Sequence, residues 1–463
     1  MMNVSAQDHV TPDQFAFSVD SNLVYGTAPD YLGNTITLQL DLYKPIGDPD
    51  AARPLLVLVH GGTWLAGCKA DPGSGVVALA RAFAGRGYVV GSVDYRLGWH
   101  KENYVPTPAG PPVWPESFLG LYPADTLEIV RALYRSQQDV KGAIRWLKGR
   151  ADIDSTCAEK TFVGGESAGG FTALAVAFLD RPEEKPPSCG AIADAPMPDA
   201  NLLNQTGYGC AVQTWTVTPT MLERTDLGPV DGTLNLNGTD ARVRGVASLF
   251  GGVPTDALAL NWWQGVDTPA VYLFHQSCDG IVPFNVGRPY QTISGYCNLG
   301  ATPWHYNYPI IDGSNAIATI FQTMAQPPVY TTDFITCDAF NSDIALFDCI
   351  RYANNGAYHA PGNITDRATN IAAFLEPMAS DPDACLGAGV TDPQQAATRI
   401  FPQPATDRVR MIEPALQGTV TLRMIAIDGR SVKQEIIRGA HGNVECTFGN
   451  KVPNGLYLLS FST

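Results

Sequence analysis

Residues 161–179 read TFVGGESAGGFTALAVAFL. A β-branched and aromatic run meets Gly-Glu-Ser-Ala-Gly-Gly and then becomes rich in Ala and Leu. The first part predicts a buried strand and the last part a helix. Ser167 stands at the junction, inside the pattern Gly165-x-Ser167-x-Gly169. Flanking glycines permit a sharp turn with strained dihedrals, which would lift the hydroxyl off the C-terminal edge of a sheet. A helix starting just behind it aims unpaired backbone N–H groups and the positive end of its dipole at the same spot. A serine hydroxyl is a poor nucleophile until a base takes its proton and donors meet the oxyanion that forms. Other parts of the chain must supply both.

Working outward, residues 35–180 alternate between strand and helix patterns. ITLQLDLYKP alternates apolar and polar side chains, PLLVLVHGG is a continuous apolar run, and YVVGSVDYRL is another. GVVALARAFAGRG and TLEIVRALYRSQQDVKGAIRWLKGRA carry apolar residues at three- and four-residue spacing, as helices do. Such alternation implies a parallel sheet with helices on both faces. Strand signal returns at TPAVYLFHQSCDG, and TDRATNIAAFLEPM reads as a last helix. The looser stretches near 181–265 and 285–357 are expected to be insertions over the sheet edge, of the kind that forms a lid. The reading is a catalytic domain over 1–385, a linker over 386–399 and a small all-β domain over 400–463. In that last part VTLRMIAIDGRSVKQEII gives two alternating strands around Asp428-Gly429, a hairpin signal. VPNGLYLLSF adds a further strand.

The second oxyanion donor is expected from HGGTW, residues 60–64, after the first buried strand. The backbone N–H groups of Gly62 and Thr63 join that of Ala168 as candidates. His60 reads as an anchor of this loop and not as the base. The orienting acid should follow a later strand. Asp279, a few residues beyond VYLFHQ, fits that place, with Asp256, Asp267 and Asp312 as alternatives. The base should lie between the acid and the last helix, which leaves His305 and His359. His359 sits in the glycine-containing loop NNGAYHAPGN, whereas His305 is flanked by aromatics in TPWHYNY. The expected set is Ser167, Asp279 and His359. Trp215, Trp262, Trp263, Trp304 and Tyr306 are candidates for a pocket wall or for core.

HGGTWLAG, GESAGG and the CDGIVP loop together resemble the serine carboxylesterases of the α/β-hydrolase superfamily. The resemblance covers residues 35–180 closely and 265–380 in outline. It implies an eight-stranded, mostly parallel sheet, with Ser167 as nucleophile, Asp279 as acid and His359 as base. It also implies a covalent acyl-enzyme, with no metal or organic cofactor. Thr63 stands where many such proteins have a third glycine, and the separation between acid and histidine is longer than usual. A peptidase of the same fold and an inactive adhesion protein are the rival readings; the chain shows no N-terminal segment of the size a propeller-bearing peptidase needs. Residues 400–463, with IFPQPATDRVRM, the Asp-Gly hairpin and VPNGLYLLSF, resemble the C-terminal sorting domain of type IX secretion in Bacteroidota, though Gln403 replaces the usual Asn.

Bulk properties set the remaining bounds. The net charge of −15 argues against a nucleic-acid partner, which would require a basic face. No run of about twenty apolar residues is present to span a membrane. Ten cysteines, with no C-x-x-C pair, fit disulfides in an oxidising compartment better than a zinc site. Secretion or surface display is expected, although MMNVSAQDHVTPDQ is not a basic and apolar leader. The sequons at Asn204, Asn237 and Asn363 carry little weight if the source is bacterial.

Overall fold

The structure is a computed structural model. It describes residues 8–101, 123–193, 203–206, 210, 213–216, 224–255, 262–263, 268–297, 305–337, 345–385, 399–401, 408–426, 431–447 and 457–462. For 203–206, 213–216 and almost all of 399–462 the description is of backbone alone. The chain divides into two units, Met1–Cys385 and Leu386–Thr463, and each is taken by itself.

The first unit is built on an eight-stranded sheet. In chain order its strands are β1 (Ala16–Pro29), β2 (Thr35–Ile46), β3 (Arg53–Val59), β4 (Val89–Val93), β5 (Thr156–Glu166), β8 (Gly245–Leu249), β10 (Ala270–Gln276) and β13 (Tyr330–Ile335). The spatial order is β1-β2-β4-β3-β5-β8-β10-β13. The pairs β1–β2 and β2–β4 are antiparallel, and every later pair is parallel. Sequence and packing agree in β3. Leu55, Val57 and Val59 belong to the core on one face, whereas Leu56 and Leu58 belong to the core on the other. The run is apolar throughout because both faces are covered.

Helices α1 (Gly75–Ala84) and α8 (Ile364–Ala379) cover one face through Val76, Leu79, Phe83, Ile371 and Leu375. Helices α2 (Thr126–Lys148), α4 (Ala168–Phe178) and α6 (Ser314–Thr323) cover the other through Ile129, Leu133, Leu147, Phe171, Leu174 and Phe321. Short α3 (Ala151–Asp154) leads into β5. Helices α5 (Gln291–Cys297) and α7 (Ala345–Asn354) are joined by the disulfide Cys297–Cys349. The remaining strands form a hairpin, β6 (Leu203–Thr206) with β7 (Gln213–Thr216), and a small antiparallel sheet of β9 (Gly252–Pro254), β11 (Val286–Gly287) and β12 (Ile311–Gly313).

Two segments read from the sequence as insertions differ from that reading. The stretch 181–265 contains β8, which lies in the middle of the sheet, and 285–357 contains the edge strand β13. GVASL is short and mostly small, so it lacks the bulky run by which a central strand is recognised. Besides reaching the edge strand β1, where Asn235 donates to the Tyr25 carbonyl at 2.8 Å, described parts of 181–244 pack along α2. The side chains of Arg131, Gln137, Arg145 and Lys148 all donate to backbone carbonyls there.

The cysteines form Cys68–Cys210, Cys157–Cys385, Cys278–Cys337 and Cys297–Cys349, and Cys189 is a buried thiol. The side chain of Cys446 lies outside the described residues, as does the segment 386–398. Among the described residues no helix is long and apolar enough to cross a membrane.

In the second unit β14 (Arg399–Phe401), β15 (Arg408–Ala426), β16 (Ser431–Thr447) and β17 (Tyr457–Ser462) make one antiparallel sheet. All three other strands pair with β15. The small all-β domain expected over 400–463, read as β-sandwich-like, shows a single antiparallel sheet among the described residues. Alternation reveals strands but not which of them pair. The Asp428-Gly429 turn itself falls outside the described residues.

Candidate active site

The site is built on the bend between β5 and α4. Ser167 has φ 54° and ψ −125°, a left-handed conformation that costs a non-glycine residue about 1–3 kcal/mol. Its N–H donates to the Leu249 carbonyl of β8 at 2.9 Å, which helps to hold the bend. The flanking glycines are required by close approach. A side chain on Gly169 would begin 2.0 Å from the Val59 oxygen, and one on Gly165 would begin 2.3 Å from the Gly169 oxygen.

Ser167 Oγ lies 2.8 Å from His359 Nε2, and His359 Nδ1 lies 2.7 Å from Asp279 Oδ2. The structure thus brings together the serine, acid and histidine expected from the sequence, from three separate segments. His359 follows a tight turn over Gly356–Tyr358 in which Ala357 and Tyr358 also have positive φ. Its ring stands edge-on to Phe250, with centroids 4.5 Å apart. The Gly280 N–H donates to the Ala357 carbonyl at 2.9 Å, which ties the acid's loop to the histidine's loop.

Asp279 is buried, and its carboxylate is fully engaged. Oδ1 accepts from the Ile281 and Val282 N–H groups at 2.8 and 2.9 Å. Oδ2 meets His359 and also His275 Nε2 at 3.2 Å. His275 Nδ1 in turn faces Ser314 Oγ at 2.9 Å. An Nε2-protonated ring therefore donates to the Val282 carbonyl at 3.2 Å, with Asp279 Oδ2 at the same distance, and accepts from Ser314. Burial alone pushes the Asp279 carboxyl up, but His359 and His275 together outweigh burial and hold it below the ordinary carboxylate range.

The oxyanion candidates are positioned by a rigid loop. Gly62, Thr63 and Trp64 all have positive φ. His60 is buried, stacks on Tyr95 at 4.4 Å, and turns Nδ1 to the Gly61 carbonyl at 2.7 Å. Burial lowers its pKa to about 4. It is a neutral anchor for the loop, as the sequence implied. Trp99 Nε1 holds the Thr63 carbonyl at 2.9 Å, and Thr63 Oγ1 lies 2.7 Å from Tyr290 OH. A side chain on Gly61 would begin 3.1 Å from Ser167 Cβ, so the loop passes directly over the serine. Ala168 is the first residue of α4, where backbone N–H groups have no partner within the helix.

An apolar pocket opens beside Ser167, walled by Trp64, Phe171, Ile281, Tyr290, Tyr308 and Ile311. These are not the aromatics anticipated from the irregular segments. Trp262 and Trp263 are core, with Trp263 wedged edge-on between Phe178 and Phe321. Tyr306 is partly buried against the same core. Trp304 and the side chain of Trp215 lie outside the described residues. Of the alternative acids, Asp312 is buried in β12, and Asp256 and Asp267 lie outside the described residues. His305 is half-buried, with the Tyr308 N–H donating to its carbonyl. Sequence reading missed His275, Phe250 and Tyr290. His275 stands four residues before Asp279, and that spacing was the available signal. Among the described residues no group of three or more His, Cys, Asp or Glu side chains is arranged to hold a metal ion.

With an eight-stranded sheet of this order and Ser167 on the bend after β5, the chain is an α/β-hydrolase by fold. The family model BD-FAE matches residues 40–108. The esterase LipC of Mycobacterium tuberculosis is 29% identical over 164 residues, 35% of this chain and 30% of that protein. The match thus spans under a third of that relative's length. Among solved structures, esterase 2 of Thermogutta terrifontis phosphorylated by paraoxon is 15% identical, with 73% of this chain and 92% of that chain covered and a TM-score of 0.38. A truncated carbohydrate esterase from gut microbiota is 14% identical, with 80% and 98% covered and a TM-score of 0.40.

The buried histidines set an acid limit to stability. His60 and His100 are held neutral, with pKa values lowered by burial to about 4 and about 3. An unfolded chain protonates such residues near pH 6.5. Between pH ~6.5 and ~4 the unfolded state therefore binds more protons, and stability falls as pH falls. Each histidine contributes up to about 1.4 kcal/mol per pH unit within that window. Urea unfolding at pH 7, 6, 5 and 4.5 should show this decline, and a flat profile would contradict it.

Proposed function

We propose that residues 1–385 form a serine carboxylic ester hydrolase that works through an acyl-enzyme. The observation that carries this reading is the unbroken relay Ser167 Oγ, His359 Nε2, His359 Nδ1, Asp279 Oδ2, with contacts of 2.8 and 2.7 Å. The Ser167 hydroxyl attacks the ester carbonyl as His359 takes its proton. Asp279 keeps the imidazole in the correct tautomer and stabilises the imidazolium. The N–H groups of Gly62, Thr63 and Ala168 receive the oxyanion. His359 returns the proton to the departing alcohol, and water then releases the acid by the same steps. His275 acts through Asp279 as a positioning residue.

The substrate class is an ester whose acyl or aryl group enters the apolar pocket, including esters carried on polysaccharide and polyester chains. Trp64, Phe171, Tyr290 and Tyr308 favour a flat or short group there. Four disulfides support an extracellular location. We assign residues 400–463 to export by type IX secretion, on the resemblance of their motifs.

Ser167→Ala should lower p-nitrophenyl butyrate turnover by about five to six powers of ten and abolish labelling by a fluorophosphonate probe. Near-normal turnover would end the assignment, and faster cleavage of an aminoacyl anilide than of the ester would move it to a peptidase. His275→Asn should lower kcat about tenfold, the order of one hydrogen bond to a charged group, with little change in KM. An unchanged kcat would remove His275 from the relay. Deleting residues 400–463 should leave the enzyme inside a type IX-competent host, and undiminished export would refute the sorting role.

A further inference from the structure

A second polar site lies away from Ser167, on α2. There a cavity is lined by Tyr31, Arg96, His100, Glu128, Arg131, Arg135 and Arg224, with Asp30 and Asp226 also in its wall. The empty space measures ≈ 850 Å³ with its open mouth included. Four guanidinium groups in one buried wall is an unusual concentration of charge, and their partners are uneven. Arg96 forms an ion pair with Asp139 at 2.8 Å, and Arg224 forms one with Glu128 at 2.6 Å. Among the described residues Arg131 donates only to the carbonyls of Ser188, Gly190 and Thr225. Arg135 donates to the Gly98 carbonyl at 2.7 Å. Among the described residues neither Arg131 nor Arg135 has a carboxylate at ion-pair distance. Asp30 is engaged by the N–H groups of Leu32 and Asn34, and Asp226 by Lys185 and Gly228.

Among the described residues three buried polar atoms in the same wall have no partner: Arg135 Nε, His100 Nδ1 and Tyr31 OH. Arg135 is 3% exposed and His100 2%. The Tyr31 and His100 rings meet edge-on, with centroids 5.2 Å apart. A guanidinium N–H and a phenol can donate, and a neutral imidazole can donate through Nδ1. Leaving such groups buried and unmade costs about 1–3 kcal/mol each, and a buried charge without a counter-charge costs more. Burial, with Arg96 and Arg131 beside it, lowers the Arg135 pKa to about 10. That still leaves it cationic at neutral pH.

The geometry points to a binding site for a small oxyanion, of the carboxylate or sulfate type, held by Arg135, His100 and Tyr31 within the field of Arg131. The anion supplies the missing counter-charge and accepts from the three unpartnered donors at once. Charge-assisted hydrogen bonds of this kind are the strong ones. The site is separate from the relay, and it stands whether or not Ser167 acts on esters.

The test follows the unfolding temperature of the full-length protein during titration with sodium acetate and, separately, sodium sulfate. Sodium chloride at matched ionic strength is the reference. A ligand that binds only the folded state raises that temperature in a saturable way. The expected result is a saturable rise above the chloride reference with at least one oxyanion. Its half-saturation concentration should increase about tenfold in Arg135→Gln and about threefold in Tyr31→Phe, as loss of a charged and a neutral hydrogen bond implies. Tyr31→Phe removes one hydroxyl and decides the question alone should Arg135→Gln not fold. Response to acetate alone assigns a carboxylate, and response to sulfate alone assigns a sulfate or phosphate group. No rise beyond chloride, or half-saturation unchanged in the variants, overturns the site.

Discussion

The Val59 carbonyl at the end of β3 lies so near Gly169 that a side chain there would begin 2.0 Å from the oxygen. This contact between strand end and helix start is the constraint on which the site depends. It lets α4 begin directly against the sheet, and it forces the turn between β5 and α4 to be completed by one residue. That residue is Ser167, held at φ 54°. The same contact sets the Gly61 backbone against the serine. The position of the half-buried Ser167 hydroxyl and the loop that passes over it are therefore consequences of one packing requirement. Strain of about 1–3 kcal/mol at the serine persists because β3, β5, β8 and α4 over-determine the position.

The relay on the other side is held by cross-links between loops. Asp279 and His359 are 80 residues apart in sequence, yet the Gly280 N–H and the Ala357 carbonyl join their loops directly. Two disulfides brace the same region: Cys278–Cys337 adjoins the acid, and Cys297–Cys349 ties α5 to α7, the helix before the histidine turn. Such bonds limit the conformations of loops that a sheet edge alone would leave free. His275 adds an inner support, since it projects from β10 itself and grips Asp279 from behind. An acid with four polar contacts has one available orientation, and that orientation fixes the imidazole.

What the sequence showed, and what it withheld, follows from how each element announces itself. β3, α2 and the bend at Ser167 were legible because long apolar runs, helical spacing and paired glycines are local patterns. β8 was not. Its residues are small because α4 packs closely over it: a side chain on Gly170 would begin 3.0 Å from the Leu249 oxygen. The requirement that creates the bend at Ser167 thus removes the bulky residues by which a strand is recognised. β13 was hidden for the opposite reason. As an edge strand it carries Asp333, which is satisfied by Arg367 and Asn370 of α8 and by Tyr272. His275 left only the faint signal of standing four residues before Asp279, because it is the sheet register that turns it toward that carboxylate.

Helix α2 shows why composition alone understates this fold. Its sequence reads as amphipathic, with a charged outer face, yet Arg131, Arg135, Lys141, Arg145 and Lys148 are all buried. Described parts of the segment that returns from α4 to β8 lie along that face and offer backbone carbonyls to it. A chain without regular structure needs donors for its carbonyls, and a cationic helix face supplies them. Lys141, for example, meets both the Leu179 carbonyl and Asp231. Low secondary-structure signal in the segment and high charge on α2 are two sides of one arrangement. The arrangement is balanced where a carboxylate is near, as at Asp139 and Glu128. It is unbalanced at Arg135, where carbonyl dipoles replace a counter-charge, and a fold that leaves such a group at a cavity wall has built the polarity that an anion seeks.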